Sequence, residues 1–220
     1  MRQLNTILFD LDGTLIDTNE IILKSYIHAY ETHLPNKTID ESAIIDSIGA
    51  PLRDVFKRDT NDKDLVEALV NTYLDYYTKH EHSLFHFYEG IEPMLEKLKA
   101  ENYNLAIVTT KFLSSAQPSI DYFNLGRFFD VIITLEDTLY PKPDAAPIIE
   151  ALSHFDDVDK SIMIGDNTTD IMAGNNAGIL SAGVAWSIKG RKTLNSANPT
   201  YMLDTPEDIF AIINNESEEK

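Results

Sequence analysis

The chain has no cysteine, half as many basic as acidic residues and no long hydrophobic run. Without cysteine there can be no disulfide framework, zinc–thiolate site, iron–sulfur cluster or cysteine nucleophile. Eighteen Lys and Arg against 36 Asp and Glu give a formal charge of −18. That balance leaves no broad basic face, so neither nucleic acid nor an anionic membrane is expected as a partner. A phosphate group remains within reach of such a chain only through local cations, helix N-termini or a bound metal. The apolar run within Met1 to Leu15 is short and broken by Asp10 and Asp12. Neither a signal peptide nor a membrane span is therefore expected, and the sequence reads as a cytoplasmic protein, a monomer or weak dimer.

What is present is a globular composition, 43% hydrophobic and 25% charged over 220 residues, which suffices for a core without covalent staples. No repeat of fixed period stands out. The acidic end, Asn214 to Lys220, reads as a frayed, solvated tail.

Short continuous apolar runs recur at Ile7 to Leu11, Leu105 to Val108, Val131 to Ile133, Ile162 to Ile164 and Leu180 to Ala185. Continuity, rather than alternation, is the pattern of parallel strands covered on both faces. Helical periods fall between or after them, at Ile91 to Lys99, Ser114 to Phe123, Ala146 to Phe155 and Asp170 to Ala177. The fold class predicted is α/β, a doubly wound parallel sheet. The interval after the first strand breaks this rhythm and reads as helices only: Asn19 to His33, Asp40 to Ser47, Leu52 to Arg58 and Lys63 to His82. The expectation is an α/β core of residues 1–16 and 86–220 with an all-helical domain of 17–85 inserted, joined through linkers near Ile16 to Thr18 and Phe85 to Gly90.

In an open α/β sheet a ligand binds beyond the carboxyl ends of the strands. There the first strand delivers Asp10-Leu11-Asp12-Gly13-Thr14, the second Thr109-Thr110-Lys111, the third Glu136 and Asp137 followed by Lys142 between two prolines, and the fourth Gly165-Asp166-Asn167 with Asp170 a turn further on. Asp10, Asp166 and Asp170 are suited to Mg2+, which favours oxygen ligands; crowded carboxylates would otherwise repel one another. Thr109 offers a hydroxyl and amides to a phosphoryl oxygen, and Lys142 a charge to offset the one that develops during transfer. Singly, each feature has an ordinary explanation: Asp12-Gly13 is a common turn, a Lys between prolines a common loop residue, and Asp166 or Asp170 a common helix cap. Their conjunction, in order at successive strand ends, is what points to phosphoryl chemistry.

This set resembles the haloacid dehalogenase superfamily of phosphotransferases over essentially the whole chain. The first motif matches Asp10 to Thr14, the second Thr109, the third Lys142 and the fourth Gly165-Asp166 through Asp170. The inserted helices resemble the cap of the phosphoglycolate phosphatase and β-phosphoglucomutase branch, with Gly49-Ala50-Pro51-Leu52 similar to its substrate-facing loop. The likeness narrows towards bacterial inorganic pyrophosphatases through Asp17 to Glu20, Ser25-Tyr26 with His28, Ile107 to Lys111, Gly183 to Trp186 and Ile188 to Gly190. That subfamily is proposed to remove pyrophosphate formed when a phosphorylated regulatory carrier protein is dephosphorylated. One departure is local: the third motif often runs Lys-Pro-x-Pro, whereas here it is Lys142-Pro143-Asp144-Ala145.

The resemblance implies an aspartyl-phosphate mechanism. Asp10 is the expected nucleophile, and Asp12 the acid that protonates the leaving group and then activates water. Thr109 and Lys142 hold the transferring phosphoryl group; Mg2+ is held by Asp10, the Leu11–Asp12 segment, Asp166 and Asp170, making Asp10, Asp12, Asp166 and Asp170 the metal set. Gly13, Thr14, Thr110 and Lys111 are candidate substrate contacts, as is Arg53 within the cationic group Arg53, Lys57 and Arg58, which reads equally well as a solvated helix face. His28 and His33 are five apart and share no helix face, which suits ordinary cap residues better than metal ligands. Trp186 and Lys189 follow the last predicted strand, in reach of the site, with packing the ordinary reading for Trp186.

The function expected is therefore Mg2+-dependent phosphohydrolysis with pyrophosphate as favoured substrate. Phosphoglycolate or another small phosphomonoester is the nearest alternative, then a sugar-phosphate mutase. From another class comes a receiver-like phosphoacceptor module, although such a module needs neither a cap nor an acid–base Asp12. Carbon–halogen cleavage needs neither the metal set nor Asp12.

Overall fold

A computed structural model describes residues 3–218. In chain order the elements are β1 (Leu4–Phe9), β2 (Ile16–Asp17), α1 (Asn19–His33), α2 (Glu41–Ser47), α3 (Leu52–Phe56), α4 (Lys63–Leu84), β3 (His86–Phe87), α5 (Ile91–Ala100), β4 (Asn104–Val108), α6 (Leu113–Tyr122), β5 (Val131–Ile133), α7 (Ala146–Ser153), β6 (Lys160–Gly165), α8 (Thr168–Asn176), β7 (Leu180–Val184), α9 (Gly190–Asn195), β8 (Tyr201–Leu203) and α10 (Asp208–Glu218). Two compact units result: Asp17–His86, and the chain on either side of it, through Ile16 and from Phe87 onward.

The flanking unit is built on a six-stranded sheet of order β5-β4-β1-β6-β7-β8, with every pairing parallel. β1 is an inner strand, and Ile7, Leu8 and Phe9 are all but inaccessible to solvent, which explains why its sequence is continuously apolar. On one face Leu8, Ala106, Val108, Ile133 and Met163 form a core with Ile148 and Ala151 of α7 and Ala173 of α8. Burying side chains of this size contributes roughly 1.5–3 kcal/mol each, so this layer is what holds the strand ends in register.

The sheet extends further than the apolar runs indicate. β8 is a sixth strand, beyond β7, and α9 and α10 were not foreseen. The expected tail is a correction: Asn214 to Glu218 continue α10, while Glu219 and Lys220 lie outside the described residues. Ile209, Ile212 and Ile213 give that helix a buried face, and Glu216 accepts hydrogen bonds from Lys160 (2.7 Å) and the Tyr201 hydroxyl (2.6 Å).

The unit Asp17–His86 is helical, and α1 and α4 carry its core. Tyr26 meets Tyr73 at 4.8 Å and Phe56 at 5.4 Å between ring centroids, tilted or edge-on, the arrangement aromatic quadrupoles prefer. Asp40 caps α2, accepting from the amides of Ser42 and Ala43. His28 lies against Tyr76 and His33 meets the Thr72 hydroxyl. The predicted linkers are more ordered than open linkers: β2 and β3 pair as a two-stranded ribbon, and the division between the units falls within it.

Candidate active site

The parallel registers bring the chemistry together. Phe9 pairs with Ile107 on one side and Ile164 on the other, and the Asp10 amide donates to the Ile164 carbonyl at 2.9 Å. Asp10 therefore leaves the sheet beside the ends of β4 and β6, where Thr109 and Asp166 begin their loops. Thr109 is fixed by its amide, which donates to the Ile133 carbonyl (2.9 Å), and its hydroxyl oxygen accepts from the Lys111 amide (3.2 Å).

Lys142 reaches into this group from the loop before α7. Its ammonium lies 2.7 Å from Asp10 Oδ1, 2.5 Å from Asp170 Oδ1 and 2.8 Å from the Val108 carbonyl oxygen, partners for all three ammonium protons. Asp144, where the family pattern has a variable residue before proline, accepts from the Ala146 amide at 2.8 Å. That bond ties down the loop that the missing second proline would have stiffened.

Asp166 and Asp170 are positioned by the start of α8. Asn167 is its N-cap, so neither aspartate plays that role. Asp170 completes a capping box, its Oδ2 accepting from the Asn167 amide at 2.9 Å, while its other oxygen meets Lys142. Two glycines leave room for these side chains. A Cβ at Gly165 would collide with the Asp170 side chain, and one at Gly13 with the Asp166 carboxylate; Gly13 also has φ +80°, a region costly for other residues.

Carboxylate oxygens of Asp10, Asp166 and Asp170, all buried, lie within 4.8 Å of one another. Asp166 Oδ2 is fully enclosed and has no hydrogen-bond partner. Burial pushes the Asp10 carboxyl up to about 7, against the pull of Lys142 and with the push of Asp170 and Asp12. Burial and the charges of Asp10 and Asp170 also drive Asp166 well above the carboxylate range, against Lys189 and Lys142. Burial would lower the Lys142 ammonium, but Asp10 and Asp170 together raise it. An unpartnered buried oxygen within a repelling carboxylate group fits a hard divalent cation.

Asp12 does not join this cluster. Its carboxylate turns to Lys111, whose ammonium is 3.1 Å from Oδ1 and 2.9 Å from Oδ2. Among the described residues the buried carboxylate cluster thus consists of Asp10, Asp166 and Asp170, fewer than the metal set read from the sequence. Gly13 and Thr14 form the turn after Asp12, closed by the Gly13 amide on the Ile16 carbonyl (2.8 Å). Thr14 is buried and its hydroxyl has no partner; Thr110 is half-buried at the mouth of the β4 loop. Arg53 belongs to the helical unit, where Glu67 holds its guanidinium at 2.7 and 3.0 Å. Lys57 pairs with Asp54 and Arg58 donates to Ser47, so the cationic cluster is internally matched. Glu136 accepts from the Leu113 amide and Asp137 from the Thr134 amide and hydroxyl; they brace loops.

The segment after β7 has a larger part than packing. Trp186 Nε1 donates to the Thr14 carbonyl at 3.1 Å, and Ser187 Oγ to the Asp166 carbonyl at 2.8 Å. It thereby ties the loop carrying Asp12 to the loop carrying Asp166. In the sequence it is marked by its position after a strand and by the family likeness at Gly183 to Trp186 and Ile188 to Gly190.

A family profile of haloacid dehalogenase-like hydrolases matches residues 7–184. The chain belongs to this family, and is a hydrolase by membership. It is 40% identical over 212 residues, 96% of its length and 97% of theirs, to proteins named pyrophosphatase PpaX from Bacillus velezensis and Halalkalibacterium halodurans. Among solved structures, a haloacid dehalogenase-like hydrolase from Streptococcus pneumoniae superposes with TM-score 0.83 at 28% identity, covering 96% of this chain and 99% of that one. A predicted phosphoglycolate phosphatase from Haemophilus somnus shares the fold, with TM-score 0.85 at 24% identity over 96% and 99% of the two chains. Among the described residues no helix is long and apolar enough to cross a membrane.

Proposed function

We propose that the chain is a Mg2+-dependent phosphohydrolase that works through an aspartyl-phosphate on Asp10 and takes inorganic pyrophosphate as its substrate. The observation that carries this reading is the buried contact of Asp10 with Lys142 beside the unpartnered oxygen of Asp166. The likeness to pyrophosphatases at 40% identity over nearly the full chain supports the substrate. The helical unit Asp17–His86 is read as the cap that sets substrate choice.

In the first step an Asp10 oxygen attacks one phosphorus. The bond from that phosphorus to the bridging oxygen breaks, and the electron pair leaves on inorganic phosphate, which takes a proton from Asp12. In the second, water attacks the phosphorus of the aspartyl-phosphate and gives its proton to Asp12. The Asp10–phosphorus bond breaks and the second phosphate departs. Thr109 and Lys142 hold the phosphoryl oxygens and keep Asp10 in line. A magnesium ion held by Asp10 and Asp166, with Asp170 in support, would supply charge neutralisation at the transferring group. Because burial pushes Asp10 up to about 7, its service as an anionic nucleophile depends on the cations around it.

The test compares phosphate release from pyrophosphate, phosphoglycolate and sugar phosphates, with Mg2+ and with chelator. Pyrophosphate should show the highest kcat/KM, every activity should need Mg2+, and Asp10→Asn should lose about 10³-fold or more. A higher kcat/KM for a monoester would overturn the substrate, an isomerised sugar product would make it a mutase, and a single turnover would make it a phosphoacceptor module. Turnover by Asp10→Asn at the wild-type rate would overturn the mechanism.

A further inference from the structure

We propose that Lys111 is the cation that receives the leaving group, so that the site takes substrates whose departing half is itself anionic, a second phosphate first among them. This inference rests on the phosphohydrolase reading above and names the chemistry of its leaving-group side.

Lys142 and Lys111 are held by different aspartates of the site, Lys142 by Asp10 and Asp170 and Lys111 by Asp12. Lys142 is committed to the nucleophile: its side chain is 2% exposed, and Asp10, Asp170 and the Val108 carbonyl account for its three protons. Those contacts set it beside Asp10, on the side of the transferring phosphoryl group. Lys111 spans both carboxylate oxygens of the acid, Asp12, at 2.9 and 3.1 Å. Its side chain is 18% exposed, so it borders the crevice rather than the core.

Asp12 hands its proton to the bridging oxygen and must be hydrogen-bonded to that atom when it does so. An ammonium within 3.1 Å of both Asp12 oxygens is then about one hydrogen bond from the other oxygens of the departing group. If that group is phosphate, the contact is a charge-assisted hydrogen bond that strengthens as negative charge accumulates on it. If the departing group is an uncharged alcohol, Lys111 meets nothing there. With Lys142 beside Asp10 and Lys111 beside Asp12, a cation stands near each end of a substrate made of two phosphates. Only the fold makes this visible, since Lys111 and Asp12 are 99 positions apart.

The test is a comparison of pyrophosphate with glycerol 2-phosphate, whose leaving group departs as a neutral alcohol once Asp12 protonates it, in wild type, Lys111→Met and Lys111→Arg. The ratio of kcat/KM for pyrophosphate to that for the alkyl ester should fall about 10- to 100-fold in Lys111→Met and recover in part in Lys111→Arg. An equal loss on both substrates would show that Lys111 only orients Asp12 and would overturn the proposal, as would an unchanged ratio. A measurement without any variant guards against misfolding: methylenediphosphonate should inhibit the wild-type enzyme at least tenfold more tightly than phenylphosphonate, and equal inhibition overturns the assignment. If Asp10→Asn retains turnover, the hydrolase mechanism itself fails; if turnover needs Asp10 while the ratio ignores Lys111, this inference alone fails.

Discussion

Lys142 places one ammonium between Asp10 and Asp170, at 2.7 and 2.5 Å, with 2% of its side chain exposed. Replacing it with methionine keeps most of the apolar stem and removes the charge. Lys142→Met should lose about 10²- to 10³-fold in kcat. At pH 8 its stability in urea melts should fall by about 3–5 kcal/mol, the cost of leaving buried charge unpaired. The stability loss should shrink near pH 5, where the Asp10 carboxyl, raised by burial, takes up a proton.

The Asp10 carboxyl, moved from 3.8 to about 7 chiefly by burial, fixes the sign of a pH effect. Its folded value lies above its unfolded one. Between about pH 4 and 7 the folded, metal-free protein therefore keeps a proton that the unfolded chain has released. Stability falls as pH rises through that window, and the raised Asp166 adds in the same direction. Thermal melts in chelator should show a lower Tm at pH 8 than at pH 5.5. Mg2+ should raise Tm more at pH 8, and Asp166→Asn should reduce both effects. A Tm in chelator that does not fall over this range would contradict the assignment of these groups.

Gly13 leaves the space that the Asp166 carboxylate fills. Gly13→Ala adds a methyl group there and strains a φ of +80°, at a cost of about 1–2 kcal/mol from the backbone alone. Displacing Asp166 should raise the Mg2+ concentration needed for half-maximal activity about 10-fold or more. Titration of activity against Mg2+ separates this from simple destabilisation, which would lower the active fraction without moving the midpoint.

Trp186 joins the Asp12 loop to the segment after β7 through the Thr14 carbonyl, and it is the chain's single tryptophan. Trp186→Phe should cost about 1 kcal/mol of stability and lower kcat several-fold through a loosened Asp12 loop. Ser187→Ala, which frees the Asp166 carbonyl, should weaken Mg2+ instead. In the wild type, Mg2+ addition should change tryptophan fluorescence; a silent signal would show that the two loops are not tied.

The strand ends were legible because inner parallel strands must be continuously apolar, and the polar residues that stop them are the ones that face the crevice. Asp10, Thr109, Lys142, Asp166 and Asp170 are read in this way, and the fold brings Asp10, Lys142, Asp166 and Asp170 together. β8 is not legible in this way, since Tyr201 and Met202 are only half-buried and the strand is three residues long. The end of α10 from Asn214 reads as a tail because its acidic residues mask the helix whose buried face is Ile209, Ile212 and Ile213. The pairings Lys111–Asp12 and Trp186–Thr14 cross 99 and 172 positions, and no local pattern encodes such contacts. For the same reason Arg53 reads as available to substrate from the sequence, whereas in the fold Glu67, on the next helix, holds it.

Asp170 divides its two oxygens between the first turn of α8 and Lys142. The helix start and the charge pair are therefore a single cooperative element. Fraying of that turn withdraws the anchor from Lys142, and loss of Lys142 removes the partner that steadies the turn. Amide exchange at Asn167 should thus report on the integrity of the surroundings of Asp10 and Lys142, and a ligand that orders these residues should slow it without touching the helix.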